Sequence, residues 1–528
     1  MKNKPLLYFF PYVILLALGA WFRFQGSDVA ILDADSGNYL LPPFIKKITG
    51  EWHKGERPMP YLQFIFFTLS ENNGLKNTVR IQQILSLTGI GFLAGSWLLF
   101  IKGLKLTGLL NHILGYMMIG AMVINPRLMI NELFIAPEAI TFFLMCGLIY
   151  CITFIFCTSS RARVWRWVLS LSVFTNLYLA APMPKWIFAS LLLDIFFIYL
   201  LLNKKDIVPK QKLLLLAVPH LLYFVLVPLQ EAIHKIDLFD QDRLYIEYKQ
   251  MVYTHFDILI TDKTNFELPE SLQDSMVVCF HEAKQNQPNF LIGFSNDYLM
   301  WGKANKLIDN HFRGNGDSLK LFYRNLNWKL ASKYPLELCK SIVTQIVCFI
   351  IPNSFIHKEL YSSLENSADT YLQTIEMANR FDKDLIKNIT RLKLQSKAES
   401  FENIKNHYSL EPYYTNWQNR PIVIDPVAKS FPEITKHILI THWFDYLFFT
   451  TMFLFIAIKI FSKQLRKQNQ LVLFYILILT YVFTIAIIHT LDISRFTYTI
   501  YPFGVITTFM ATTIIGKTLT DFFSKQFA

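Results

Sequence analysis

What most limits the fold of this chain is a series of apolar runs, each about as long as the hydrocarbon core of a bilayer is thick. The first, residues 5–22, follows Met-Lys-Asn-Lys and is not trailed by a small-residue cleavage site, so it reads as a retained first helix. Further runs cover 81–101, 107–124, 137–157, 167–181, 186–202, 213–229, 443–461, 471–488 and 499–515, which makes ten. Charged residues are only 17% of the 528, whereas 53% are hydrophobic and 16% aromatic. A soluble domain of average usage carries about 25% charge, so an ordinary soluble enzyme and a disordered chain are both excluded. The six cysteines, at 146, 151, 157, 279, 339 and 348, show neither a CxxC nor a finger spacing, which argues against a disulfide framework or structural zinc.

The net charge of +12 invites a nucleic-acid reading until its distribution is followed. With the N-terminus cytoplasmic, the cytoplasmic segments hold 17 cations, from Lys2 and Lys4 through Arg161, Arg163 and Arg166 to Lys517 and Lys525, against two acids, Asp206 and Asp521. That surplus exceeds the net charge of the whole chain, so the rest is slightly acidic. The basic balance is a topology signal, and nucleic acid is not an expected partner. One further stretch, 336–352, is apolar but contains Lys340 and Gln345. Counted as a crossing it would turn Lys463, Arg466 and Lys467 outward, so it is read as an interfacial or re-entrant segment.

The expected fold class is therefore an all-α polytopic membrane protein with juxtamembrane helices in its first outer loop and a mostly helical extracytoplasmic insertion. Residues 1–229 form a seven-helix module that includes the loop 23–80. Residues 230–442 form the insertion, and 443–528 a C-terminal group of three helices. Both termini lie in the cytoplasm. The compact loops and the lack of a retention signal favour a bacterial inner membrane.

The loop 23–80 is longer than a plain connector. It reads ILDADSGNYLLPPFIKKITGEWHKGERPMPYLQFIFF from Ile31 to Phe67. Asp33 and Asp35 stand about 200° apart on a helix, so they do not share one proton as a dyad. Either one faces a cleft as a base while the other caps the helix starting near Ser36, or both are capping and turn residues.

Asp35-Ser36-Gly37-Asn38-Tyr39, Gly50-Glu51-Trp52 and Arg57-Pro58-Met59-Pro60-Tyr61 resemble the first extracytoplasmic loop of the GT-C superfamily, which includes protein O-mannosyltransferases and the lipid A aminoarabinose transferase. Weaker similarity extends to Pro137-Glu138-Ala139-Ile140 and to the stretch 494–502, SRFTYTIYP. Many relatives have Asp-Glu where Asp35-Ser36 stands, Met59 replaces a proline, and Phe496 follows Arg495 where a tyrosine is usual.

The resemblance implies a glycosyltransferase that takes a sugar from a polyprenyl-(pyro)phosphate donor to an acceptor hydroxyl on a glycan, lipid or protein, with inversion. It makes Asp35 the base, with Asp33 as the other candidate, and gives Tyr39, Trp52 and Tyr61 a substrate-lining role. Cations must stabilise the departing phosphate. Outer Lys and Arg are scarce under the positive-inside rule, so Arg57, Arg495, Lys185 and Arg127 are the candidates, each with snorkelling to lipid headgroups as the plain alternative. Glu138, one residue after Pro137, suits a helix dipole by itself. The resemblance would make it, with Glu132, a second acid that orients the acceptor. Asp194, midway along the run 186–202, is either functional or a structural partner between helices. No metal is assigned: some relatives use a divalent ion and others none. A transporter, or a non-catalytic component of polysaccharide assembly or export, is the rival reading.

Overall fold

The computed structural model describes residues 4–25, 28–32, 36–50, 52, 59–69, 74–106, 108–157, 210, 213, 242–286, 292–350, 367–391, 410, 414, 443–461, 469–488 and 493–526. Among them the chain is helical, and its one β feature is an isolated bridge between Ile31 and Phe134. The runs 167–181, 186–202 and, save for Leu213, 213–229 lie outside the described residues, as do Lys185 and Asp194. Two compact units divide the chain, one of Met1–Ile236, Glu359–Leu477 and Tyr498–Ala528, the other of Asp237–Lys358 and Ile478–Thr497. Within 230–442, residues 237–358 thus fall in the second unit, while 230–236 and 359–442 fall in the first.

The first unit opens with α1 (Lys4–Gln25), α2 (Ser36–Thr49), α3 (Met59–Thr68), α4 (Lys76–Gly103), α5 (Leu109–Val123), α6 (Pro126–Leu133) and α7 (Glu138–Cys157). Among the described residues, three stretches are long and apolar enough to cross a membrane: Leu7–Gln25 of α1, all of α4, and Tyr501–Ser524 far along the chain. Leu109–Val123, Glu138–Cys151 and Leu447–Ile460 are apolar but shorter. Along α1 the side chains of Leu7, Phe9, Phe10, Trp21 and Phe24 are exposed, a row of large apolar groups that suits lipid contact.

Where these helices meet, glycines let backbones approach. Gly89 and Gly95 of α4 face Phe142 and Tyr150 of α7, and Gly19 of α1 faces Leu87 and Val123. Gly115 of α5 is the tightest, since a methyl group there would overlap both the Tyr12 hydroxyl and the indole of Trp97, whose Nε1–H donates to the Asn111 carbonyl at 3.0 Å. Both side chains are fully buried, so neither has room to yield. Gly115→Ala is expected to destabilise the unit by about 1–3 kcal/mol, whereas Gly91→Ala, whose new methyl would meet only Leu16 at 3.9 Å, is expected to be neutral. Thermal unfolding in detergent checks both, and equal midpoints for the two variants would refute the contact.

The second unit holds α8 (Asp242–Thr254), α9 (Phe256–Leu259), a 3₁₀ turn (Lys263–Phe266), α10 (Glu270–Gln285), α11 (Asn296–Trp301), α12 (Lys303–His311), α13 (Gly316–Lys333) and α14 (Pro335–Ile350). Its sequence is polar enough that helix starts need side-chain caps. Asp262, Ser295 and Asn315 each accept a hydrogen bond from a backbone N–H two or three residues on, at 3.1, 3.2 and 3.1 Å. The core is aromatic, built on Tyr253, Phe256, Phe266, Phe280 and Tyr323, and it also includes Ala486. The stretch read as interfacial is α14: Leu338 and Ile342 enter this core, while Leu336 and Val343 are exposed.

Two groups of this unit titrate away from their ordinary values in opposite senses. Burial pushes the Asp257 carboxyl up to about 6 and the His255 imidazole down to about 4. A raised acid adds stability below its unfolded pKa and loses it as pH rises through about 6. A lowered base adds stability above its unfolded pKa, about 6.5, and loses it as pH falls towards 4. Each swing amounts to about 3 kcal/mol, so the two offset and this unit is expected to have nearly flat stability across the interval. Asp257→Asn is expected to raise the unfolding midpoint at neutral pH and to expose a decline towards pH 4. A flat profile in that variant would show that His255 does not titrate as stated.

The remaining described helices are α15 (Ser367–Arg391), α16 (Trp443–Phe461), α17 (Asn469–Ile488) and α18 (Ile493–Gln526). In the first unit α15 packs on α2 through an edge-on contact of Phe381 with Phe44, ring centres 5.0 Å apart. At 34 residues, α18 outruns the apolar stretch 499–515 that predicts it.

Candidate functional site

The segment between α1 and α4 is anchored at both ends by charge. Arg23 ends α1, where a cation complements the helix dipole, yet its side chain is buried. Its Nε donates to Glu132 Oε2 at 2.8 Å and its Nη2 to Oε1 at 2.8 Å, a forked pair, while Nη1 donates to the carbonyls of Gly19 and Val123. Glu132, on α6, is completely buried. Burial pushes its carboxyl up, and the guanidinium beside it pulls the other way. At the segment's far end, Arg80 of α4 donates to the Arg23 carbonyl at 3.1 Å. Lys76 and Arg80 both reach Asp28, at 3.1 and 3.4 Å.

The segment after α1 is then laid along the turn between α6 and α7. Ile31 N–H donates to the Leu133 carbonyl at 2.8 Å, and Ile135 N–H returns a bond to the Ile31 carbonyl at 3.1 Å. The Ser36 hydroxyl, at the start of α2, donates to the Ile135 carbonyl at 3.2 Å. Tyr414, buried and distant in sequence, donates its hydroxyl to the Ala30 carbonyl at 2.7 Å. Gln82 of α4 holds the other side: its amide donates to the carbonyls of Glu132 and Phe134, and its oxygen accepts from the Tyr61 hydroxyl at 2.8 Å. These bonds satisfy backbone groups that the irregular 28–32 and 134–137 segments leave open.

The predicted residues are distributed as follows. Asp33, Asp35, Arg57 and Lys185 lie outside the described residues. Arg127 stands on the first turn of α6 and Arg495 on the first turn of α18. Glu138 begins α7 and is buried, three residues beyond the Ile135 that meets Ser36. Glu132 is committed to Arg23. Tyr39 and Tyr61, expected to line a substrate, are brought together edge-on, ring centres 5.2 Å apart, and both are buried. Trp52 is half-buried against Phe66, 5.5 Å between centres. Among the described residues no group of three or more His, Cys, Asp or Glu is gathered to hold a metal ion.

No family model, curated protein or solved structure matches the chain. The functional reading rests on its own residues.

Sequence reasoning missed Arg23, Arg80 and Gln82. The signal for the two arginines was available: cations on outer loops need a reason, and these two sit at the loop's borders, where they are easily assigned to the helix ends. Nothing in the sequence pairs Arg23 with a glutamate 109 residues away.

Proposed function

We propose that this chain is a polytopic membrane glycosyltransferase that takes a sugar from a polyprenyl-(pyro)phosphate donor to an acceptor hydroxyl. In this reading ten helices span a bacterial inner membrane, both termini are cytoplasmic, and the first outer loop is extracytoplasmic. The Asp35 carboxylate takes the acceptor's proton as the acceptor oxygen bonds to the anomeric carbon. The bond from that carbon to the phosphate oxygen breaks, and the electron pair leaves with the phosphate. Attack opposite the leaving group inverts the anomeric centre. Arg57, Arg495, Lys185 and Arg127 are the cations available to hold the departing phosphate, with arginine offering a fork and lysine a point charge. Glu138 is the second acid.

One observation carries the reading. Ile31, through its backbone, and Ser36, through its side-chain hydroxyl, are bonded to Leu133 and Ile135 of the turn that leads to Glu138. The described residues that flank the two aspartates in sequence are thus held against the turn that leads to Glu138, and preorganisation of this kind is what general base catalysis requires. Glu132, neutralised by Arg23, supports that turn and is not free to act on an acceptor.

Transfer from a panel of radiolabelled polyprenyl-phosphate sugars, in membranes containing the full chain, tests the proposal. One donor of the panel is expected to be consumed. If the wild type neither consumes a donor nor is stabilised thermally by any, catalysis is refuted and a transporter or assembly component becomes the reading to pursue.

A further inference from the structure

The second unit contains a histidine that is completely buried and bonded through both ring nitrogens. His255, between α8 and α9, has Nδ1 2.9 Å from Ser341 Oγ on α14 and Nε2 3.1 Å from the Ile487 carbonyl on α17. A carbonyl only accepts, so Nε2 carries the proton and Nδ1 accepts from the serine hydroxyl. One tautomer satisfies both bonds.

Ile487 is the residue before the end of α17, and its carbonyl belongs to the last four, which no intrahelical N–H can satisfy. His255 donates to it from 232 residues away in sequence. α18 begins at Ile493, five residues after Ile488, and its third residue is Arg495. Ile487, the first turn of α18, His255 and Ser341 all belong to the second unit.

We infer that His255 is a positioning residue: its hydrogen bond to the Ile487 carbonyl fixes the last turn of α17 and thereby steadies the first turn of α18, which carries Arg495 eight residues further along the sequence. This rests on the reading of Arg495 as a phosphate-binding residue. The bond itself stands apart from that reading.

The test compares the full-length wild type with His255→Phe, which fills the site and cannot donate, and His255→Gln, whose amide can. Amide hydrogen exchange is followed over 485–497, together with affinity for polyprenyl phosphate and the donor KM and kcat. In His255→Phe, exchange there is expected to rise about tenfold, the factor that loss of a buried hydrogen bond of ordinary strength gives. Polyprenyl-phosphate affinity is expected to fall and donor KM to rise by a similar factor, with kcat changed less. His255→Gln is expected to restore both. Unchanged exchange in His255→Phe overturns the inference, and so does faster exchange with unaltered polyprenyl-phosphate affinity. Should His255→Phe not fold, Ser341→Ala, which frees the ring from one side, is expected to give the same changes to a smaller degree, and no change there overturns it equally. A wild type that binds no polyprenyl phosphate defeats the role assigned to Arg495, while the exchange data still decide whether His255 holds α17.

Discussion

Glu132→Ala is expected to cost about 3–5 kcal/mol of stability, because it leaves a guanidinium buried with no counter-charge. The wild-type Arg23 meets both Glu132 oxygens and two backbone carbonyls within 3.3 Å, with neither side chain more than 1% exposed. Removal of Arg23 alone, as Arg23→Met, is expected to be similarly costly, since the carboxylate is then alone and the Gly19 and Val123 carbonyls lose a donor. The double variant Arg23→Met, Glu132→Leu is expected to recover much of the loss, because a buried pair replaced by apolar groups of similar volume is often close to neutral. Thermal unfolding in detergent across the four proteins gives the coupling energy. Additive losses would show that the two side chains act independently. Any fall in sugar transfer by Glu132 variants is expected to follow the fraction of folded protein, which separates this acid from Asp35 and Glu138.

Asp35→Asn is expected to lower transfer by about 10²–10⁴-fold while leaving folded protein at the wild-type level, the range a positioned general base contributes. Asparagine keeps the shape and one acceptor but cannot take the acceptor's proton. Asp33→Asn, carried through the same assay, is expected to retain most activity. If the losses are reversed, the chain remains a transferase and Asp33 is the base. If neither substitution matters while the wild type still consumes donor, a base outside this loop carries the reaction, and Glu138→Gln is the variant to measure next. Glu138 is buried at the first position of α7, so its substitution also removes a charge favourable to the helix dipole and must be read beside its unfolding midpoint.

The helices were legible in the sequence wherever apolarity persists for a full span, as in α1 and α4. Their ends were not. Helix α4 begins at Lys76, five residues before its apolar stretch, and α18 continues through Lys517 and Asp521 to Gln526, since backbone hydrogen bonds continue past the point where side chains turn polar. The first loop was legible as a place where acids and aromatics collect, but the roles of its residues were not. The resemblance gives Tyr39 and Tyr61 a substrate-lining role, and α2 and α3 pack on each other so that both rings are buried edge-on. Arg23 with Glu132, and His255 with Ser341 and Ile487, are long-range pairs, and a single sequence carries no sign of which distant residues meet.

The bond from Tyr414 to the Ala30 carbonyl spans 384 positions. A ribosome adds roughly 5–20 residues per second, so Ala30 emerges on the order of half a minute before the tyrosine that closes over it exists. Asn125, which donates to the Tyr501 hydroxyl at 2.8 Å, waits for a partner 376 positions on. The end of the bundle that carries the candidate chemistry is therefore completed late in synthesis, and a chain cut short before Tyr414 would insert its early helices without closing that end.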